Sequence, residues 1–191
     1  IRDRGDAGIE ADEYQSVLDM VAKAAQASGI SVDTLADSIT KYGAPMRAMG
    51  FEMKESIALF SQWEKSGVNT EIAFSGLKKA ISNWGKAGKD PREEFKKTLA
   101  EIERTPDIAS ATSLAIEAFG AKAGPDLADA IKGGRFSYQE FLKTIEDSQG
   151  TVNQTFKDSE SGSERFKVAM NKLKLVGADV WASIESAFAP V

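Results

Sequence analysis

The sequence predicts an all-α fold, a multi-helix bundle of short helices joined by Gly/Pro turns, with a longer C-terminal amphipathic helix. Apolar residues recur at three- and four-residue spacing nearly throughout, and alternation of period two is sustained nowhere. Gly or Pro falls at short intervals between the periodic runs. The 191 residues are 42% apolar and 28% charged, which excludes collagen-like and charge-rich disordered architectures. A chain of this mass can bury about 70% of its unfolded surface, enough for one sizeable core or two small ones.

A first helix is expected over residues 10–28, with Tyr14, Val17, Leu18, Val21 and Ala25 on one stripe and Gly29 at the left-handed C-terminal position. Three more follow at short intervals, over 32–42 (Leu35, Ile39, Tyr42), 53–65 (Met53, Ile57, Phe60) and 70–86 (Phe74, Leu77, Ile81, Trp84). The fifth start has the fullest signature. Asp90 offers an N-cap carboxylate, Pro91 stands where its missing N–H costs nothing, and Glu93 sits at the capping-box position. Phe95, Leu99 and Ile102 make its buried stripe.

After Thr105-Pro106, Ile108, Ala111, Ala115 and Phe119 mark a sixth helix, broken by residues 120–125. A short segment around Leu127 and Ile131 ends at Gly133-Gly134. Ser137-Tyr138-Gln139-Glu140 reads as a second capping box, opening a helix with Tyr138, Leu142 and Ile145 inward and Gly150 closing it. Gly29-Ile30, Gly50-Phe51 and Gly67-Val68 each place an apolar residue directly after a helix stop. Both helix-hairpin punctuation and true repetition produce such a rhyme, although its spacings are unequal.

Residues 151–164 include Asp158-Ser159-Glu160-Ser161-Gly162-Ser163 and read as a polar hinge. The domain plan is then an N-terminal arm (1–9), a helical bundle (10–150), the hinge (151–164) and the C-terminal amphipathic helix (165–191). In that last helix Phe166, Met170, Leu173, Gly177, Val180, Ile184 and Ala187 alternate at four- and three-residue steps, which is heptad spacing. Phe166, Met170, Leu173, Val180, Trp181 and Ile184 are therefore the candidate protein interface, for docking on the bundle or for homo-oligomerisation. Beginning with Ile1 and ending with Ala189-Pro190-Val191, the sequence is expected to be a piece of a longer chain.

Absent Cys and His remove disulfides, thiolate nucleophiles, zinc sites built on those ligands and imidazole acid–base chemistry. The formal charge of −5 disfavours nucleic acid and anionic lipid. No window approaches the 18 or more apolar residues of a membrane span, and residues 1–6 lack the apolar core of a signal peptide. A soluble, unexported chain without membrane contact is expected.

Gly85-Lys86-Ala87-Gly88-Lys89 lacks both the spacing and the preceding strand of a phosphate loop. Lys78, Lys79, Lys86, Lys89 and Arg92 would form a basic patch beside Trp84, offset by Asp90, Glu93 and Glu94. The carboxylate pairs Asp12/Glu13, Glu93/Glu94 and Glu101/Glu103 lie on charge-rich faces without an aromatic sugar platform. Phe51, Phe60, Phe74, Phe95 and Phe119 fall at helical spacing among aliphatic residues and are assigned to the core. No enzyme, no catalytic residue, no cofactor and no metal is expected.

A set of fragments then follows in a particular order: Gly29-Ile30-Ser31-Val32-Asp33-Thr34-Leu35-Ala36, Ala44-Pro45, Met49-Gly50-Phe51, Glu55-Ser56, Gly67-Val68-Asn69-Thr70, Leu77-Lys78-Lys79-Ala80 and Gly88-Lys89-Asp90-Pro91. Phe119-Gly120-Ala121-Lys122-Ala123-Gly124-Pro125-Asp126-Leu127 is the most telling. In this order, residues 29–150 resemble the N-terminal helical module of phage tail tape measure proteins. The resemblance implies a structural protein that templates tail tube polymerisation and sets tail length. It implies the tail tube protein, tail assembly chaperones and baseplate or tail-tip proteins as partners. The implied location is the tail tube lumen of the virion, and the host cytoplasm during assembly. The alternatives are a stand-alone helical adaptor and a cell-wall lytic module using a Glu pair.

Overall fold

A computed structural model describes residues 11–151, with side chains from residue 16 onward. Eight helices and no strand occur among the described residues: α1 (Ala11–Ser28), α2 (Val32–Ala48), α3 (Met53–Ser66), α4 (Thr70–Lys86), α5 (Pro91–Arg104), α6 (Ile108–Phe119), α7 (Gly124–Lys132) and α8 (Tyr138–Glu146). The expected arm, the hinge beyond Thr151 and the C-terminal amphipathic helix lie outside the described residues.

Short polar side chains cap four of these helices. The Ser31 hydroxyl accepts from the Thr34 N–H, Asn69 Oδ1 from Ile72, Asp90 Oδ1 from Glu93 and Asp107 Oδ1 from Ser110. Each satisfies one amide that the first helical turn leaves without an intrahelical partner. Several stops use the left-handed glycine geometry. Gly50 (φ 90°) and Gly67 (φ 76°) let the next N–H reach back, Phe51 to Met46 O at 3.1 Å and Val68 to Trp63 O at 2.9 Å. The same geometry turns Phe51 and Val68 inward, where they are buried. At Gly29-Ile30 the following N–H goes instead to the Ser28 hydroxyl, so the sequence rhyme covers two different bonding patterns.

The course of α2 departs from expectation. It runs six residues past Tyr42, through Gly43 and Pro45, to Ala48. Pro45 has no N–H for the Lys41 carbonyl. The turn persists because Gly43 and the fully buried Met46 are packed, and because Met49, Gly50 and Phe51 all donate back into it.

α3 is the axis of the structure, with α1, α2, α4 and α8 packed against it. Every residue from Glu55 to Trp63 is buried, so the helix has no solvent face over that stretch. Its polar residues survive burial because they are bonded. Ser56, Ser61 and Ser66 donate to the carbonyls of Glu52, Ile57 and Gln62, at 3.1, 2.7 and 2.5 Å. A second group forms around α6, which packs on α4, α5 and α7.

α8 returns to α1 and α3 and closes the chain on its own beginning. Buried Asp19 of α1 accepts the Gly150 N–H at 3.0 Å, which fixes the turn after α8. The expected capping box at Ser137 does not form. That side chain makes no cap bond, and the Ser137 N–H donates to Gln62 Oε1 at 2.9 Å. A tertiary partner on α3 has taken the place of the local one.

Phe51, Phe60, Phe74, Phe95 and Phe119 are all buried, as their spacing predicts. Phe95 meets Phe51, Phe119 and Tyr138 edge-on, with centroids 5.8, 6.3 and 5.6 Å away. This ring on α5 links the group around α3 to the group around α6, as does α4, which packs on both helices. Burying a side chain of this size contributes about 1.5–3 kcal/mol, more than a typical surface ion pair, so the apolar contacts dominate the assembly.

Candidate functional site

The candidate interface Phe166, Met170, Leu173, Val180, Trp181 and Ile184 lies outside the described residues. The remaining candidates can be placed. Lys78 sits over the Phe74 ring at 5.2 Å, and Lys79 lies beside Gly120. Lys89 pairs with Glu94 at 3.0 Å, while Arg92 turns to Glu55 at 2.5 Å. The expected basic patch is thus divided among separate partners. Glu93 pairs with Lys96 and Glu94 with Lys97 along α5, whereas Glu101 and Glu103 are exposed. The side chains of Asp12 and Glu13 lie outside the described set.

A polar cluster that the sequence did not single out joins α3, α5 and α8. Glu55 Oε2 accepts from the Glu52 N–H at 2.8 Å, and its Oε1 lies 2.5 Å from Arg92 Nη2. Lys54 reaches Glu146 at 2.9 Å. Tyr138 is buried beside this cluster, and desolvation pushes its hydroxyl well above the usual tyrosine range. The one available signal was the glutamate at the third helical position of α3, a capping-box mark whose N-cap partner, Glu52, is an unusual residue for that place.

The motif from Phe119 to Leu127 has a plain structural role. Gly120 (φ 90°) ends α6, the Gly124 N–H donates to Gly120 O at 2.8 Å, and α7 then runs back along α6. A Cβ on Gly124 would lie 2.5 Å from Ile116 N, and one on Gly76 of α4 would lie 2.6 Å from the Ala123 methyl. These glycines are where backbones meet with no room for a side chain.

Two surface features involving α6 could receive a partner. One is a groove between α4, α5 and α6, floored by Trp84, Leu114 and Ala118 and rimmed by Glu94, Glu101 and Glu117. Trp84 is half-buried there, edge-on to Phe119 at 6.2 Å. The other is the outer face of α6, where Ile108 (51% exposed) and Ile116 (36%) stand with Ala109 and Ser113. Among the described residues no helix is long and apolar enough to cross a membrane, and no group of three metal-capable side chains occurs.

The family model described as phage-related minor tail protein matches residues 4–174. No curated protein and no solved structure matches the chain.

Proposed function

This chain belongs to the phage-related minor tail protein family, and on that premise we propose that it acts as a tape measure. It has a structural role in the phage tail, and the finer reading is that it templates tube polymerisation and sets tail length by its own length. The observation that carries this reading is the family match over residues 4–174, which spans all eight described helices; the ordered fragments of residues 29–150 that resemble tape measure proteins support it.

In this reading the chain is not an enzyme. Its partners are the tail tube protein, the tail assembly chaperones and the baseplate or tail-tip proteins, and its place is the lumen of the tube. The test is genetic and metric. In-frame deletion or duplication of helical sequence in the gene should shorten or lengthen tails in proportion, by about 1.5 Å per helical residue. Electron microscopy of purified particles measures the change. Tails of unchanged length from such alleles would leave a structural tail protein that does not measure.

A further inference from the structure

We infer that the groove between α4, α5 and α6 is a docking site for residues 165–174 of the same chain. The groove's floor is apolar at Trp84, Leu114 and Ala118, while its rim carries Glu94, which is paired with Lys89 and Lys97, and the exposed Glu101 and Glu117. Its natural occupant is therefore an amphipathic segment with a surplus of positive charge.

Residues 165–174 have that character. They carry Arg165, Lys167, Lys172 and Lys174 with no acidic residue, and Phe166, Met170 and Leu173 are spaced as one helical face would need. The whole chain has charge −5, so this basic run stands out against the rest of the sequence. The family match also runs on past α8 and ends at Lys174, so the bundle and this segment belong to one matched unit.

Reach favours the same chain over a second copy. Thirteen residues, 152–164, separate Thr151 from Arg165, and they span at most about 45 Å. A domain of this size is only about 37 Å across, estimated from its radius of gyration of about 14 Å. A tether of that length holds its segment at an effective concentration near the millimolar range, far above that of free chain in dilute solution. Docking takes Phe166, Met170 and Leu173 out of the heptad seam and covers the half-exposed Trp84.

The chain has no cysteine, so disulfide trapping in the full-length protein reads the contact directly. Thr98→Cys on the groove wall is paired with a cysteine at Val168, Ala169 or Asn171, which covers the faces of the segment. Asp37→Cys, exposed on α2, serves as the control partner. The expected result is a monomeric cross-linked species in at least one Thr98 pairing, formed at least about tenfold faster than with the control, as a raised local concentration requires. Reversing the rim with Glu101→Lys and Glu117→Lys should abolish that advantage, and adding Lys167→Glu and Lys172→Glu should restore it. Equal rates for groove and control, a disulfide-linked dimer in place of the monomer, or indifference to the charge reversal would each overturn the proposal.

Discussion

Arg92 on α5 and Glu55 on α3 meet at 2.5 Å, with the glutamate side chain 3% exposed and the arginine 36%. The asymmetry decides what the pair does. The arginine side chain is partly in water, although its Nε is buried without a partner, whereas the carboxylate depends on Arg92 and on the Glu52 N–H for its compensation. Losing the arginine would leave a buried charge with one bond where it now has two.

Arg92→Ala should therefore destabilise the fold by about 2 kcal/mol, less than the roughly 3–5 kcal/mol of a fully buried pair because one partner is about a third exposed. Urea unfolding of the full chain measures it. The double variant Arg92→Ala/Glu55→Gln should recover part of the loss, since the neutral amide keeps an acceptor for Glu52 without the stranded charge. A double variant no more stable than the single one would show that the arginine acts through its stem and not through its charge.

Two glycines within helices should respond to alanine in opposite directions. A Cβ on Gly124 would stand 2.5 and 2.6 Å from the Ile116 backbone, so α7 must move off α6. Gly124→Ala should cost about 2 kcal/mol or more, in the manner of other overpacked contacts. Near the end of α4, Gly85 has nothing within 4 Å of its would-be Cβ and a helical backbone. Gly85→Ala should stabilise by about 0.5 kcal/mol, the entropy saved in the unfolded chain. Thermal melts of both variants check the signs.

The same contrast shows what the sequence could reveal. Asp90-Pro91 was legible because an N-cap is local: the signal and its bond lie within four residues. Gly124 was legible only as a break, since its tight approach to Ile116 depends on how α7 folds back along α6. Ser137 has the letters of a capping box, yet Gln62, 75 residues away, takes its N–H. The period of α3 pointed to Met53, Ile57 and Phe60 as an inward face. Burial instead runs unbroken from Glu55 to Trp63, because serine hydroxyls folded onto their own carbonyls can be buried like small apolar groups. The groove beside Trp84 draws on three helices, and no single helix pattern encodes it.

Phe95 should be among the most sensitive core positions. Its ring has three edge-on aromatic neighbours, Phe51, Phe119 and Tyr138, which sit in both groups of helices. Phe95→Ala should cost about 3–5 kcal/mol for the lost burial and the cavity left behind. Phe95→Leu keeps most of the volume and loses the aromatic geometry, so it should cost about 1–2 kcal/mol. Because the ring joins the two groups, hydrogen exchange in Phe95→Leu should speed up in α6 as well as in α3. Exchange confined to the neighbourhood of α5 would mean that the two groups are held together elsewhere.

The pH dependence of stability should be flat through neutrality and fall at both ends. The chain has no histidine, the side chain whose ordinary pKa lies between pH 5 and 8. On the acid side, hydrogen bonds from the Ser110 N–H and hydroxyl hold the Asp107 carboxyl below its usual range, and Lys89 and Lys97 do the same for Glu94. A depressed carboxylate pKa gives stability that is present above the unfolded value, near pH 4, and lost as pH falls through the lower folded value. Asp107→Asn keeps a cap acceptor but cannot titrate, so it should flatten part of the fall below pH 4.

On the alkaline side burial raises Tyr138, and the hydrogen bonds that Lys41 donates to Tyr42 and Lys54 to Glu146 raise the two lysines. Stability from raised groups is complete below their unfolded values, near pH 10, and drains away above them. Tyr138→Phe removes the titrating hydroxyl while keeping the ring against Phe95. It should change the urea midpoint little at pH 7 and make the loss above pH 10 shallower. An alkaline limb equally steep in wild type and Tyr138→Phe would assign that loss to the lysines.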